Sequence, residues 1–204
     1  MSEKRIEQRG LYFEEFEVGA TYLHRPGRTV SEADNVMFTT LTMNTQSLHL
    51  DAAWSEGTEF GERLVNSMFT LSTMVGLSVT QLTLGTIVAN LGFTEVSFPA
   101  PVRVGDTLYA ETRIAGKRLS KSRPTQGIVE FEHTMRNQRG EVVALATRST
   151  LMQTLAVGAG AGAVSAVDSS GAAASTSAAG SSSPSPSPPS SSPSSSSSSD
   201  GGAQ

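Results

Sequence analysis

Two stretches of the chain carry groups able to do acid–base chemistry or to hold a developing negative charge. The first is Asn44-Thr45-Gln46-Ser47-Leu48-His49-Leu50-Asp51, polar, turn-rich and built around a histidine. Imidazole titrates near neutrality, so His49 can take a proton from water and return one. From the residues alone the ordinary reading is a loop histidine satisfied by backbone. The second stretch is Leu64-Val65-Asn66-Ser67-Met68. Asn66 can cap a helix, Val65 precedes it as an apolar staple, and the free N–H groups of Ser67 and Met68 then lie at a positive dipole end. Such an end can hold an oxygen that turns negative during reaction, or it is simply the start of a capped core helix.

Other polar residues offer less. His133 shares the apolar phase of Val129, Phe131 and Met135, the place of a partly buried structural histidine. His24 sits beside Arg25 and Pro26 in an expected loop, and three histidines so scattered do not make a metal site. Asp51 is placed to cap a brief helix, with a reserve role as an acid. Ser72 and Thr73 lie on the helix after Asn66, where small polar residues ordinarily pack against a sheet. Arg63 and Arg28 are candidates for pairing with a substrate carboxylate, and are equally ordinary exposed cations. Gly19 and Gly105 read as turn residues, not phosphate loops.

Elements must hold these groups in place. Ser31-Glu32-Ala33-Asp34 has capping-box spacing and predicts a helix over 32–42. Asp51 predicts a short helix over 52–55 closed by Gly57. Between Arg63 and Glu95 no residue carries a formal charge, yet Ser and Thr recur too often for a lipid-facing span of about 20 apolar residues. Met68, Leu71, Val75 and Leu82, with Phe69, Met74 and Val79, put apolar side chains on more than one face and predict a helix buried inside a domain. Upstream, 11–23 reads as an arm or short strand, a turn and a strand that Pro26-Gly27 breaks. Beyond Gly85 the pattern turns to period two: 87–98, then Leu108 to Ile114 with a basic loop from Lys117 to Pro124, then Val129 to Met135, and a hairpin turn at 137–140 into 142–152. A curved antiparallel sheet wrapping one apolar helix satisfies this order.

The totals bound the rest. Residues 1–10 read as a flexible N-terminus and 11–154 as one α+β domain. Residues 155–204 are almost wholly Gly, Ala, Ser and Pro, a composition that cannot bury enough apolar surface to order itself, so a disordered tail is expected. All 15 basic residues precede that tail, as do 17 of the 19 acidic ones. The resulting charge near −2 argues against a nucleic-acid surface. With no cysteine there are no disulfides, thiolate nucleophiles or Cys-ligated zinc. No basic-apolar-small segment opens the chain, so a cytoplasmic protein without a membrane span is expected.

The element order resembles that of the hot-dog fold, and three motifs resemble the MaoC-like dehydratases, also called (R)-specific enoyl-CoA hydratases. Residues 44–51 look like the family's catalytic loop, where an Asp is followed five residues later by His. Leu64-Val65-Asn66-Ser67-Met68 is similar to its opening of the central helix, usually His-Gly-Met at the last three positions. Phe98-Pro99-Ala100-Pro101-Val102-Arg103-Val104-Gly105-Asp106 resembles its Phe…Pro-Val…Gly-Asp strand and turn. Asn-Thr-Gln-x-Leu-His-Leu-Asp further resembles a branch that hydrates itaconyl-CoA or mesaconyl-CoA.

The resemblance implies a single hot-dog domain and reversible hydration of an enoyl-CoA with no metal or redox cofactor. By position it assigns His49 as acid/base and Ser67 as donor of an oxyanion N–H; beside them Met68 and Arg63 are candidate substrate-binding residues. Lys121 and Arg123 fall where the family meets CoA phosphates, a suitable pairing for a polyanion. It also implies a homodimer with the CoA site across the interface, and open sheet edges give an independent reason to expect pairing. The departure is Asn44, where the family has Asp. An amide can orient water but cannot accept its proton at neutral pH. Beside a substrate carboxylate it also avoids like-charge repulsion, which suits a short, carboxylated acyl group. The alternatives on this fold are an acyl-CoA thioesterase, for which the central helix offers no acidic residue, and a non-catalytic acyl-CoA-binding module.

Overall fold

The structure, a computed structural model, describes residues 4–155. The expected tail lies outside the described residues. Five strands form one antiparallel sheet: β1 (Thr21–Thr29), β2 (Ile87–Ser97), β3 (Thr107–Leu119), β4 (Gln126–Arg136) and β5 (Val142–Gln153), in the order β1-β3-β4-β5-β2. Four helices precede β2: α1 (Glu32–Leu41), α2 (Ser47–Leu50), α3 (Ala52–Glu56) and α4 (Ser67–Leu82). The sheet curls around α4, the hot-dog arrangement the residue pattern predicts.

The alternation in β3 and β4 does the wrapping. Leu108, Ala110, Thr112 and Ile114 turn inward on β3, and Val129, Phe131, His133 and Met135 on β4; all are buried. Around the first half of α4, Met74 packs with Val30, Val65, Val102, Leu108, Ala110, Met135 and Val143. Around its far end, Leu82 packs with Phe13, Phe16, Ile114, Val129, Phe131 and Met152. Facing residues Thr112 and His133 make a polar level between the two clusters.

Several expectations need correction. The strand at 21–29 does not end at Pro26. It continues as an edge strand, with the register slipping between His24 and Arg28, because an edge position tolerates the missing proline N–H. His24 is therefore no loop residue: it is 2% exposed, with its ring nitrogens 2.9 Å from Gln81 Oε1 and 2.7 Å from Thr112 Oγ1. The arm at 11–16 contains a 3-10 turn at Phe13–Glu15 instead of a strand. The segment holding His49 is not loop but a single helical turn, α2. β3 also runs to Leu119, past the expected loop start at Lys117.

α4 is not buried all round. Thr70, Met74, Ser78 and Leu82 form its buried stripe, whereas Met68, Ser72, Gly76 and Thr80 are exposed. The sheet covers only one side of the helix, and the open stripe carries small uncharged residues that the residue pattern made look internal. Among the described residues no helix is long and apolar enough to cross a membrane.

Candidate active site

Local rules build the frame of the site. Ser31 caps α1 by accepting the Asp34 N–H, and the Asp34 carboxylate returns to the Ser31 N–H at 2.9 Å. Those bonds from the Ser31 backbone and hydroxyl, then the Arg28 charge 2.5 Å away, hold the Asp34 carboxyl below its ordinary range. Asp51 accepts the Trp54 N–H at 3.0 Å and so caps α3; it acts as the expected cap. Asn66 caps α4 by accepting the Met68 N–H at 2.9 Å. Ser67, the first residue of α4, has no intrahelical acceptor available to its N–H.

α2 is tied to the strand-like approach to α4. The Leu64 N–H donates to the Leu48 carbonyl at 3.0 Å, and the Val65 N–H to the Val102 carbonyl at 2.9 Å. His49 Nδ1 lies 2.9 Å from the Leu64 carbonyl. A carbonyl oxygen can only accept, so Nδ1 carries the proton and the neutral ring keeps its lone pair on Nε2. The backbone does satisfy one side of this histidine and leaves the lone pair of the neutral ring on the other.

His49 and Ser67 line one cavity of about 400 Å³. Its walls are mostly apolar: Leu48, Phe60, Leu64, Val65, Phe98, Val143 and the run Pro99 to Val102. The polar side chains are His49, Ser67 and Thr70, and Thr70 Oγ1 is buried without a hydrogen-bond partner. A mostly apolar cavity lined by a histidine and by the first residue of a helix is suited to polarising a carbonyl and moving one proton beside it.

The other predicted site residues fall elsewhere. Asn44 does not line the cavity; its Oδ1 accepts the Gln46 N–H at 2.9 Å and shapes the entry to α2. Arg63 pairs with Glu32 in a neighbouring depression that also contains Glu56, Glu62 and Val104. Met68 is 46% exposed on the open stripe of α4. Lys121 and Arg123 are exposed in the β3–β4 loop, beyond the C-terminal end of α4, whereas His49 sits at its N-terminal end. A 16-residue helix separates the two ends by about 24 Å. Among the described residues, no three His, Cys, Asp or Glu side chains gather as a metal site.

A larger groove of about 950 Å³ runs between β1 and α4 and shares no residue with this cavity. Its arginines are already engaged: Arg9 with Glu15, Arg28 with Asp34, and Arg25 over the Tyr109 ring with a bond to the His24 carbonyl. Size favours the groove. The chemistry favours the smaller cavity, which His49 and Ser67 line together.

Residue-level reasoning passed over Asn35. This α1 residue is 1% exposed and bonds to His49, Leu64 and Asn66. A single polar residue within a helical segment offers no sequence signal of such non-local contacts.

Comparison with known proteins places this geometry in context. The MaoC like domain matches residues 14–137. The chain is 31% identical over 134 residues to the beta-methylmalyl-CoA dehydratase of Chloroflexus aurantiacus, covering 66% of this chain and 38% of that protein. It is 28% identical to the mesaconyl-CoA hydratase of Cereibacter sphaeroides over 134 residues, with the same coverage, 66% and 38%. Among solved structures, the MaoC-like dehydratase from Rhodospirillum rubrum superposes with a TM-score of 0.63 at 30% identity, covering 71% of this chain and 98% of that one. The chain thus spans less than two fifths of the two curated relatives' length and nearly all of the Rhodospirillum rubrum structure.

Proposed function

Because the chain belongs to the MaoC-like domain family, we propose that it catalyses reversible addition of water across the α,β double bond of an enoyl-CoA thioester. The observation that carries this reading is the pairing in one cavity of Ser67, at the start of α4, with a histidine whose Nδ1 proton is held by the Leu64 carbonyl. In the hydration direction, His49 Nε2 takes a proton from water as its oxygen bonds to the β-carbon. The π electrons move to the thioester oxygen, which the Ser67 N–H meets as it becomes negative. The proton on Nε2 then returns to the α-carbon as the enolate collapses. Water is added whole, and no redox partner is required.

The finer reading is a short, carboxylated acyl group, supported by the names of the two curated relatives. No Lys or Arg lines the apolar cavity, so the carboxylate is assigned to Arg63, which precedes the cavity residue Leu64 in the chain and would exchange its Glu32 partner for the substrate. Asn44 then keeps a second negative charge out of the loop.

A second copy completes the proposal. β2 is an open sheet edge with Val88, Leu91 and Val96 exposed. Antiparallel pairing of two β2 edges about a twofold axis reverses one copy end for end. The partner's β3–β4 loop, with the partner's Lys121 and the partner's Arg123, is thereby carried to the end that holds His49, within reach of the CoA phosphates.

The test is loss of enoyl absorbance with crotonyl-, mesaconyl- and itaconyl-CoA, with thiol release followed in parallel and a His49→Ala variant alongside. Turnover without thiol that falls by about 100-fold or more in the variant supports hydration through His49. Thiol release identifies a thioesterase. Faster turnover of crotonyl-CoA than of both carboxylated esters would remove the carboxylate reading.

A further inference from the structure

We propose that Asn35 is a positioning residue that sets His49 and the Ser67 N–H in mutual register; the proposal rests on the hydration reading above. The Asn35 carboxamide reaches across from α1 with every hydrogen-bonding capacity in use. Nδ2 donates to the His49 carbonyl and to the Leu64 carbonyl, each at 3.2 Å. Oδ1 accepts the Asn66 N–H at 2.9 Å and the Thr39 hydroxyl at 3.5 Å. These partners settle the orientation of the amide, because two carbonyls demand its NH2 and a backbone N–H demands its oxygen.

Each of its three backbone partners belongs to a segment that holds a reacting group. The His49 carbonyl fixes the base's own main chain. The Leu64 carbonyl receives both Asn35 Nδ2 and His49 Nδ1, so its two lone pairs are shared between the clamp and the base. The Asn66 N–H precedes the Ser67 peptide, so holding it constrains the direction in which the Ser67 N–H points. Thr39 steadies the arrangement from a second point on α1, with its hydroxyl 3.3 Å from Asn66 Nδ2.

A buried carboxamide with four partners is worth retaining only where those partners must be oriented; an aliphatic residue would fill the same space without directing them. Asn35 touches no reacting atom and acts through His49 and Asn66. Its loss therefore degrades geometry at the chemical step more than substrate affinity.

The experiment uses the full chain with Asn35→Ala and the milder Thr39→Val, which keeps Asn35 but removes one of its partners. kcat and KM for hydration are measured together with the 15N NMR shifts of His49, His49→Ala serving as reference. The expected result for Asn35→Ala is a fall of about 100-fold in kcat with KM changed by less than about threefold. The His49 shifts move from the Nδ1–H tautomer toward a mixture. Thr39→Val moves both readouts in the same direction by a smaller factor and keeps the question answerable if Asn35→Ala does not fold. Wild-type kcat and an unshifted His49 tautomer in a folded variant overturn the clamp. Full hydration by His49→Ala overturns His49 as the base, and absence of hydration by the wild-type chain overturns the hydration reading; in either case the NMR shifts alone decide whether Asn35 orients the imidazole.

Discussion

His24 and His133 face one another across a single hydroxyl: Thr112 Oγ1 lies 2.7 Å from His24 Nε2 and 2.8 Å from His133 Nδ1. With His24 Nδ1 donating to Gln81 Oε1 at 2.9 Å, proton positions run one way through the set. His24 Nε2 accepts from the Thr112 hydroxyl, whose oxygen accepts from His133 Nδ1. This arrangement needs His24 neutral, while His133 donates through Nδ1–H and is kept neutral by its burial. Burial, then the charge of Arg148, then that of His24, push His133 down to about 3; burial is also the largest influence lowering His24.

Acid stability should report this pair. An unfolded histidine binds a proton near pH 6.5 while the folded His133 does not until about 3, so the unfolded state holds more protons between those values. Stability is therefore full above about pH 6.5 and declines as pH falls toward 3. His133 alone removes about 2 kcal/mol by pH 5. Urea unfolding at pH 7 and pH 5 measures the loss. His133→Gln should be less stable at pH 7 but flatter across this range, and an equally steep acid decline in the variant would count against the assignment.

Ser67 can be tested without disturbing its helix. As the first residue of α4 it stands where proline is tolerated, and Asn66, at φ −58° and ψ 126°, already has a conformation suited to the residue before proline. Ser67→Pro removes the N–H and should lower kcat by about 100- to 1,000-fold, whereas Ser67→Ala keeps it and should remain within a few-fold of wild type. Steady-state kinetics beside melting curves separate the cases. Equal activity of the two variants would mean that the N–H does not meet the oxyanion.

Gly127 marks a close approach that leaves no room for a side chain. A Cβ there would lie 2.1 Å from the Phe13 ring, which is buried against the far end of α4 with Phe16 and Phe131. Gly127→Ala should cost about 1–3 kcal/mol in urea unfolding, and less in a Phe13→Ala background where the obstructing ring is gone. Strict additivity of the two substitutions would contradict direct contact.

Much of this organisation could be read from residues because it is local. The Ser31 and Asp34 capping box, the Asp51 and Asn66 caps, and the alternation of Leu108 to Ile114 against Val129 to Met135 each depend on neighbours a few positions away. His24 was misplaced because Pro26 ordinarily breaks a strand, and only the sheet order reveals that this strand is an edge. α4 looked internal on every side because Ser72, Gly76 and Thr80 are small and uncharged, although the sheet leaves them uncovered. His49 and Ser67 are visible as candidates, but the tautomer that leaves the lone pair on Nε2 depends on a carbonyl 15 residues away. Asn35 was silent for the same reason: its meaning lies wholly in its partners.

Those partners stand 14, 29 and 31 positions along the chain from Asn35. Closing such loops costs entropy that is recovered only once α1 and the start of α4 are docked together. Hairpins joining β3, β4 and β5 close from pairs such as Arg136 with Val142 and Leu119 with Gly127, only 6 and 8 positions apart, so strand pairing is expected to precede the clamp during refolding. Catalytic competence should therefore emerge at the final cooperative step of folding. The rate at which activity returns then measures native packing, whereas the return of strand signal measures an earlier event.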